Sequence, residues 1–291
     1  MRIIVLGASG QIGSVIYEEL RRFHIVIGTS RKPSNEFIQF DPFAGDWSAL
    51  GKSDVLINCV GQIEATAKSS FHHVHVDMTK LIIAHSAKLG DPRIVQISAL
   101  GASSNHEVEF LKTKGMADDL LLQHPNVAII RPSIVCTHQT MIVKKMLMLS
   151  NLSRFLFGVV PVPTGFLNTR IQPIMPQDLV DLVQQVSVAE EVKAVDAVGA
   201  EALSFGEIIR LLMKHSKRRF KVVEVPKAAS DLVVKNILSR LLPRVINAQQ
   251  YQLLFQDNVA SVEGCKELLG RTPVSTREFF EAQFAHERAT N

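Results

Sequence analysis

The sequence predicts an α/β protein built on a doubly wound parallel sheet, with a smaller, mainly helical C-terminal lobe. Three observations predict it. Short, nearly continuous β-branched runs alternate with amphipathic stretches through the first half, as strands buried on both faces alternate with the helices that cover them. A glycine cluster, Gly7-Ala8-Ser9-Gly10-Gln11-Ile12-Gly13, stands between the first apolar run and the first helical pattern. After Arg131-Pro132 the rhythm changes, and helical patterns dominate from Ser204 onward.

Ile3–Leu6 is the first expected strand and Ile12–Phe23 the first helix. Ile25–Ile27, Val55–Val60, Ile94–Ile97 and Val127–Ile130 are the strands that follow, with Phe71–Leu89 and Glu107–Gln123 as helices between them. Right-handed crossovers bring the carboxyl ends of such strands to one edge, where ligands bind. Met141–Met148 reads as a helix, and Phe155–Phe166, apolar and broken by Pro and Gly, as a loop over a ligand. Asp178–Val186 is a further helix, Ala194–Val198 a further sheet strand and Lys221–Val225 an extra strand. The 291 residues suffice for one large domain or a domain with an appendage, because single cores stop growing at roughly 250–300 residues. We expect a nucleotide-binding domain over residues 1–155, its sheet completed by about 176–200, and a substrate or partner lobe from 156–175 and 201–291.

Several classes are excluded by composition. With 46% hydrophobic and 21% charged residues the chain is too apolar for disorder. Cys59, Cys136 and Cys265 are odd in number and far apart, with neither metal spacing nor a disulfide framework, which points to a reducing compartment. Met1-Arg2-Ile3-Ile4-Val5-Leu6 carries one charge and runs straight into glycines, so it reads as a strand and not as a secretory leader. No apolar run reaches the roughly 18–20 residues of a membrane-spanning helix. A cytoplasmic protein is expected. The net charge of +4 is mild and its cations are dispersed, so small acidic ligands fit it and nucleic acid is not inferred.

The glycine cluster carries the main functional signal. In a strand–turn–helix context Gly7 permits the tight turn, Gly10 lets the backbone approach a diphosphate, and Gly13 lets the helix pack closely on the strand. The N–H groups of Ser9, Gln11 and Ile12 then face the phosphates at the positive end of the helix. This is the arrangement that holds a nicotinamide dinucleotide. After the second strand stands Gly28-Thr29-Ser30-Arg31-Lys32, with no acid to bind a ribose diol. Arg31 can take a 2′-phosphate through its fork while Ser30 or Thr29 supplies a hydroxyl, so NADP is favoured over NAD. Asp41 follows the third strand, within reach of an adenine amine. Cys59, Val60 and Gly61 end the fourth, where small groups pass under a ribose. Each of these has an equally good reading as plain structure.

The same residues resemble the atypical and extended short-chain dehydrogenases/reductases, with their Rossmann-type fold. Within these the likeness is greatest to the group of nucleotide-binding accessory subunits of respiratory complex I. The matching stretches include GASGQIG at the start, DVLINCVG at 54–61, RIVQISALGA at 93–102, EFLKTKGMADDLL at 109–121 and RIQPIMPQDLVDLV at 170–183. The resemblance implies a Tyr-x-x-x-Lys pair in which the lysine lowers the tyrosine pKa for proton delivery. Here the segment is Phe110-Leu111-Lys112-Thr113-Lys114, so Lys114 is kept and the tyrosine is not; the tyrosines present are Tyr17 and Tyr251. By the same resemblance Lys114 binds the nicotinamide ribose, the backbone at Pro132 borders the nicotinamide, and Ser98 faces the pocket. His75 replaces an asparagine that points into the site in extended relatives. Isoflavone-reductase-like enzymes are similar in carrying Phe, three residues and Lys.

The expectation is therefore an NADP-dependent oxidoreductase that passes hydride to a small organic acceptor without the usual tyrosine. Its catalytic candidates are Lys114, with Ser98 and His75 as helpers. The alternatives are a redox-silent NADP(H)-binding regulator or accessory subunit and, last, a nucleotide-sugar epimerase or dehydratase. His72, His73 and His75 include an i, i+3 pair but have no evident third ligand, so no metal site is assigned. The apolar residues of Asp231–Arg244, interspersed with Lys235, Arg240 and Arg244, suit either peripheral membrane contact or core packing with snorkelling cations.

Overall fold

The apolar runs of the first half assemble into one seven-stranded sheet. The computed structural model describes residues 1–62, 69–136, 157–215, 220–233 and 248–290. Its strands are β1 (Arg2–Leu6), β2 (Ile25–Ser30), β3 (Ile38–Gln39), β4 (Val55–Asn58), β5 (Arg93–Ile97) and β6 (Val127–Pro132). After β7 (Val159–Pro163) and β8 (Arg170–Ile171), which lie elsewhere, β9 (Ala194–Ala197) completes the sheet. The order is β3-β2-β1-β4-β5-β6-β9, and every neighbouring pair is parallel.

Alternate residues of the central strands feed two apolar layers. Ile3, Val5, Ile57, Val95 and Ile130 pack with Ile16 and Leu20 of α1 (Gln11–Leu20) and with Leu179 and Val183 of the helix Pro176–Val188. Ile4, Leu6, Leu56, Ile94 and Ile129 pack on the other face, against Met78 and Ile82 of α2 (Met78–His85) and Leu121 of α3 (Glu109–Leu121). Two covered faces are the reason these strands read as continuous apolar runs. The strand order reverses between β1 and β4, whose register aligns Leu6 with Asn58. A crevice opens beyond their carboxyl ends at such a switch point.

Three expected boundaries differ, each for a local reason. The run Val55–Val60 stops being a strand at Asn58: its Oδ1 accepts from Val60 N at 3.0 Å and its Nδ2 donates to Gln96 Oε1 at 2.8 Å. Phe71–Leu89 is not one helix but a π-turn at His73–Asp77, then α2, then a 3-10 turn at Ser86–Leu89 closed by Gly90 at φ 83°. Phe155–Phe166, expected as a loop, contains β7, which pairs in parallel with β11 (Lys221–Val225) after β10 (Leu203–Ser204). Val160 and Val162 point inward while Pro161 faces solvent. Its prolines are tolerated because this sheet has two strands and β7 is an edge. Met141–Met148, Phe155, Lys235, Arg240 and Arg244 lie outside the described residues.

The C-terminal part builds a second apolar cluster. Val160, Val162, Ile171, Phe205, Phe280 and Phe284 meet where β7, β8 and the helices Phe205–His215 and Thr276–Thr290 converge. Polar ties join this part to the sheet. Ser133, just past β6, donates to Asn258 Oδ1, and Arg271 grips Asp178 and Asp181 at 2.6 Å each.

Candidate functional site

The glycine turn has the geometry its spacing implies. Gly7 leaves β1 at φ 76°, a conformation glycine adopts without steric cost. A Cβ on Gly13 would lie 2.2 Å from Gly7 O and 3.1 Å from Ala8 Cα, so α1 sits on the turn at a distance that excludes any side chain. Gly10 N donates to Gly7 O at 2.9 Å, and the first helical bond runs from Ser14 N to Gly10 O at 2.9 Å. The N–H groups of Gln11, Ile12 and Gly13 precede that bond and project from the helix end. No acidic residue stands in the first turn. The cradle fits a diphosphate in shape and in charge.

A cleft of about 580 Å³ adjoins the turn, lined by Ser9, Ser30, Arg31, Lys32 and Phe37. Ser30 Oγ accepts from Lys32 N at 3.2 Å, which turns the chain at the end of β2. The neighbouring acid, Glu36, is held by Arg21 at 2.8 Å. Among the described residues no acid pairs with Arg31 or Lys32. Two uncompensated cations suit a phosphate better than a neutral diol. Asp41 is exposed and closes its own turn, its Oδ1 accepting from Phe43 N at 3.1 Å and its carbonyl from Gly45 N at 2.7 Å.

Cys59, Val60 and Gly61 form the facing wall. Cys59 N donates to Leu6 O at 3.0 Å. Val60 lies close enough to Gly7 that a Cβ there would be 3.2 Å from its backbone N. Burial pushes the Cys59 thiol up to about 12, so it is a neutral lining group and not a nucleophile.

Phe110 and Lys114 stand one turn apart on α3. Lys114 is 5% exposed and its Nζ donates to Ile97 O, at the end of β5, at 2.8 Å. Burial lowers its pKa to about 8, against the pull of the Asp118 carboxylate and Cys59. Asp118 is itself buried and ion-paired with Arg131 of β6 at 2.8 Å; burial raises its pKa against that pairing. The Ser98 hydroxyl lies against the Asp118 carboxyl without a hydrogen bond of standard geometry. Pro132 is buried at the end of β6, its carbonyl accepting from Leu100 N at 2.9 Å.

His75, on the π-turn, is 2% exposed. Its Nδ1 lies 2.9 Å from Thr113 Oγ1. Its Nε2 has no hydrogen bond of standard geometry, with the Gln62 backbone beside it. Burial, and then the Lys114 cation, lower its pKa to about 3. At neutral pH it is an uncharged imidazole and not an imidazolium acid. The Phe110 ring stands edge-on to His75 at 5.7 Å and to Phe71 at 5.9 Å.

A Cβ on Gly61 would lie 3.3 Å from Lys114 Nζ and 4.0 Å from His75 Nε2. The fold thus gathers Gly61, Lys114 and His75 at the end of β4, with Ser98 turned toward the ion pair beneath. Tyr17 packs on Phe37 and Tyr251 on Phe255. His72 and His73 instead reach Asp77 at 3.5 Å each, on an exposed face. Among the described residues no group of three metal-ligating side chains assembles, and no helix is long and apolar enough to cross a membrane. Sequence reasoning missed the Asp118–Arg131 pair and Thr113. The spacing of Lys114 and Asp118, four apart on one helix face, signals that Asp118 faces the same way as Lys114, but no local pattern signals Arg131 as its partner.

A seven-stranded parallel sheet with a glycine turn closing its central strand defines the class: the chain has a Rossmann-type α/β fold, the fold of a solved short-chain dehydrogenase/reductase superfamily protein with bound NAD. In sequence it is similar to two subunits of mitochondrial NADH dehydrogenases. It is 22% identical over 280 residues to the mitochondrial NADH-ubiquinone oxidoreductase 40 kDa subunit of Neurospora crassa, covering 89% of this chain and 72% of that one. It is 24% identical over 297 residues to the mitochondrial NADH dehydrogenase (ubiquinone) 1 alpha subcomplex subunit 9 of Arabidopsis thaliana, covering 90% and 71%. Among solved structures, the human epimerase family protein SDR39U1 with NADPH matches with a TM-score of 0.72 at 18% identity over 100% of both chains. A nucleoside-diphosphate-sugar epimerase from Staphylococcus aureus matches with 0.74 at 15%, over 97% of this chain and 100% of that one. No family model matches. The expected cytoplasmic location is corrected by these relatives: both of the subunits named are mitochondrial. Charge and cysteine content had no power to separate two reducing compartments.

Proposed function

We propose that the chain holds a nicotinamide dinucleotide, NADP(H) in preference to NAD(H), as a resident ligand of an accessory subunit in a respiratory NADH dehydrogenase-type assembly. The observation that carries this reading is the proton-poor site beside Lys114. Phe110 stands where a tyrosine would act, and His75 is neutral and packed against it. Gly7, Gly10 and Gly13 with the helix end would hold the diphosphate. Ser30 and Arg31 would hold the 2′-phosphate, and Val60, Gly61, Lys114 and the backbone at Pro132 would border the nicotinamide half. NADP(H), when bound, supplies hydride chemistry; around it the chain offers a lysine tied to Ile97 O and no phenol. The named relatives, subunits of mitochondrial NADH dehydrogenases, support the placement in an assembly. Residues 1–155 with 176–200 would then be the cofactor-holding part, and 156–175 with 201–291 the partner-facing part.

One observation favours the oxidoreductase reading. A lysine with a pKa of about 8 exchanges protons readily near neutrality. NADPH oxidation with a panel of quinones, enones and aldehydes separates the two. We expect bound NADPH and no turnover with any acceptor. Turnover lost in Lys114→Ala would establish the enzyme instead.

A further inference from the structure

We infer that His75 is a fixed-tautomer hydrogen-bond acceptor, held by Thr113, which grips a hydroxyl of the nicotinamide-side ribose together with Lys114. This rests on the dinucleotide reading above and assigns the part of that site left without a tyrosine. Thr113 fixes the histidine's tautomer. Its hydroxyl lies 2.9 Å from Glu109 O and 3.3 Å from Phe110 O, one turn back along α3. A threonine hydroxyl has one proton, and helical threonines give it to such a carbonyl. The oxygen then receives the Nδ1–H of His75 at 2.9 Å.

That arrangement leaves a lone pair on Nε2. The Lys114 ammonium, which is close enough to lower the His75 pKa, favours a lone pair facing it over an N–H; the Gln62 backbone acts in the opposite sense but more weakly, as the smallest of the three influences on that pKa. Nε2 is fully buried and makes no hydrogen bond of standard geometry. Such a buried polar atom costs free energy until something satisfies it. Lys114 gives one of its three donors to Ile97 O and keeps others. Both groups converge on Gly61, where a Cβ would crowd Lys114 Nζ at 3.3 Å and touch His75 Nε2 at 4.0 Å. A donor and an acceptor across one gap fit a group that accepts and donates through a single atom. That group is a hydroxyl. Phe110 and Phe71 wall the histidine and exclude water from it.

The test compares NADPH with 2′,5′-ADP, which carries the adenine half alone and never reaches His75. His75→Phe keeps the ring's bulk without the acceptor. It should weaken NADPH by about tenfold or more, the loss of a buried hydrogen bond, and leave 2′,5′-ADP unchanged. His75→Gln, whose amide oxygen stands in for Nε2, should recover most of that loss. Nitrogen NMR of the intact chain should show His75 protonated on Nδ1, and Thr113→Val should release that tautomer while Thr113→Ser keeps it. Unchanged NADPH affinity in His75→Phe, equal losses for both ligands, or an Nε2–H tautomer would overturn the inference. Failure of 2′,5′-ADP to bind the unaltered chain would overturn the dinucleotide reading and this inference with it.

Discussion

At the scale of single residues, the site is defined by two buried ionisable groups whose pKa values burial lowers, each toward its neutral form. His75 is neutral, while Lys114 has a pKa of about 8. Both shifts leave a trace in stability. The unfolded His75 titrates near 6.5 and the folded one near 3. As pH falls below 6.5 the unfolded chain takes a proton that the folded chain refuses, so stability falls by up to about 1.4 kcal/mol per pH unit. Lys114 acts at the other end: folded near 8 and unfolded near 10.5, it adds stability as pH rises through that window. Denaturant midpoints against pH should therefore show a steeper acid loss for the unaltered chain than for His75→Phe. Parallel curves for the two would contradict the buried neutral imidazole. Neither shift was legible in the sequence, because both arise from groups brought together across α3, the π-turn and the end of β4.

The elements divide into those whose residues dictate them and those set by a neighbour. Gly13 belongs to the first kind: its spacing from Gly7 was readable, and the structure puts Gly7 O 2.2 Å from where a Cβ would be. Gly13→Ala must push α1 off the turn. It should cost on the order of 2–3 kcal/mol, as overpacking does, and should lower NADPH affinity as the N–H groups of Gln11 and Ile12 shift. Thermal melting and NADPH titration of the variant check both effects, and a variant with unchanged melting and affinity would remove the close-packing role. The central strands were equally legible, since burial on both faces demands uninterrupted β-branched residues. The end of β4 was not, because it depends on Asn58 meeting Gln96 from another strand. β7 was hidden for a similar reason: its prolines argue for a loop until its single neighbour, β11, is known.

Over the whole molecule, the fold puts the glycine turn, the Arg31–Lys32 turn and the Gly61–Lys114–His75 group on one side of the sheet and fastens a second apolar cluster beside it. Asn258 on Ser133 and Arg271 on Asp178 and Asp181 fix that attachment near the ends of β6 and the sheet-covering helix. These ties join residues about 90 to 125 positions apart, so no local pattern announced them. What the sequence did carry at this scale was the doubly wound sheet and its glycine turn; the cytoplasmic location it suggested is corrected by the mitochondrial relatives. Calorimetric titration of NADPH and of NADH into the intact chain and into Arg31→Ala tests the central claim most directly. NADPH should bind more tightly than NADH, and Arg31→Ala should weaken NADPH by about tenfold or more, the worth of a charge-assisted phosphate contact, with little change for NADH. Equal losses for both cofactors, or no binding of either, would contradict it.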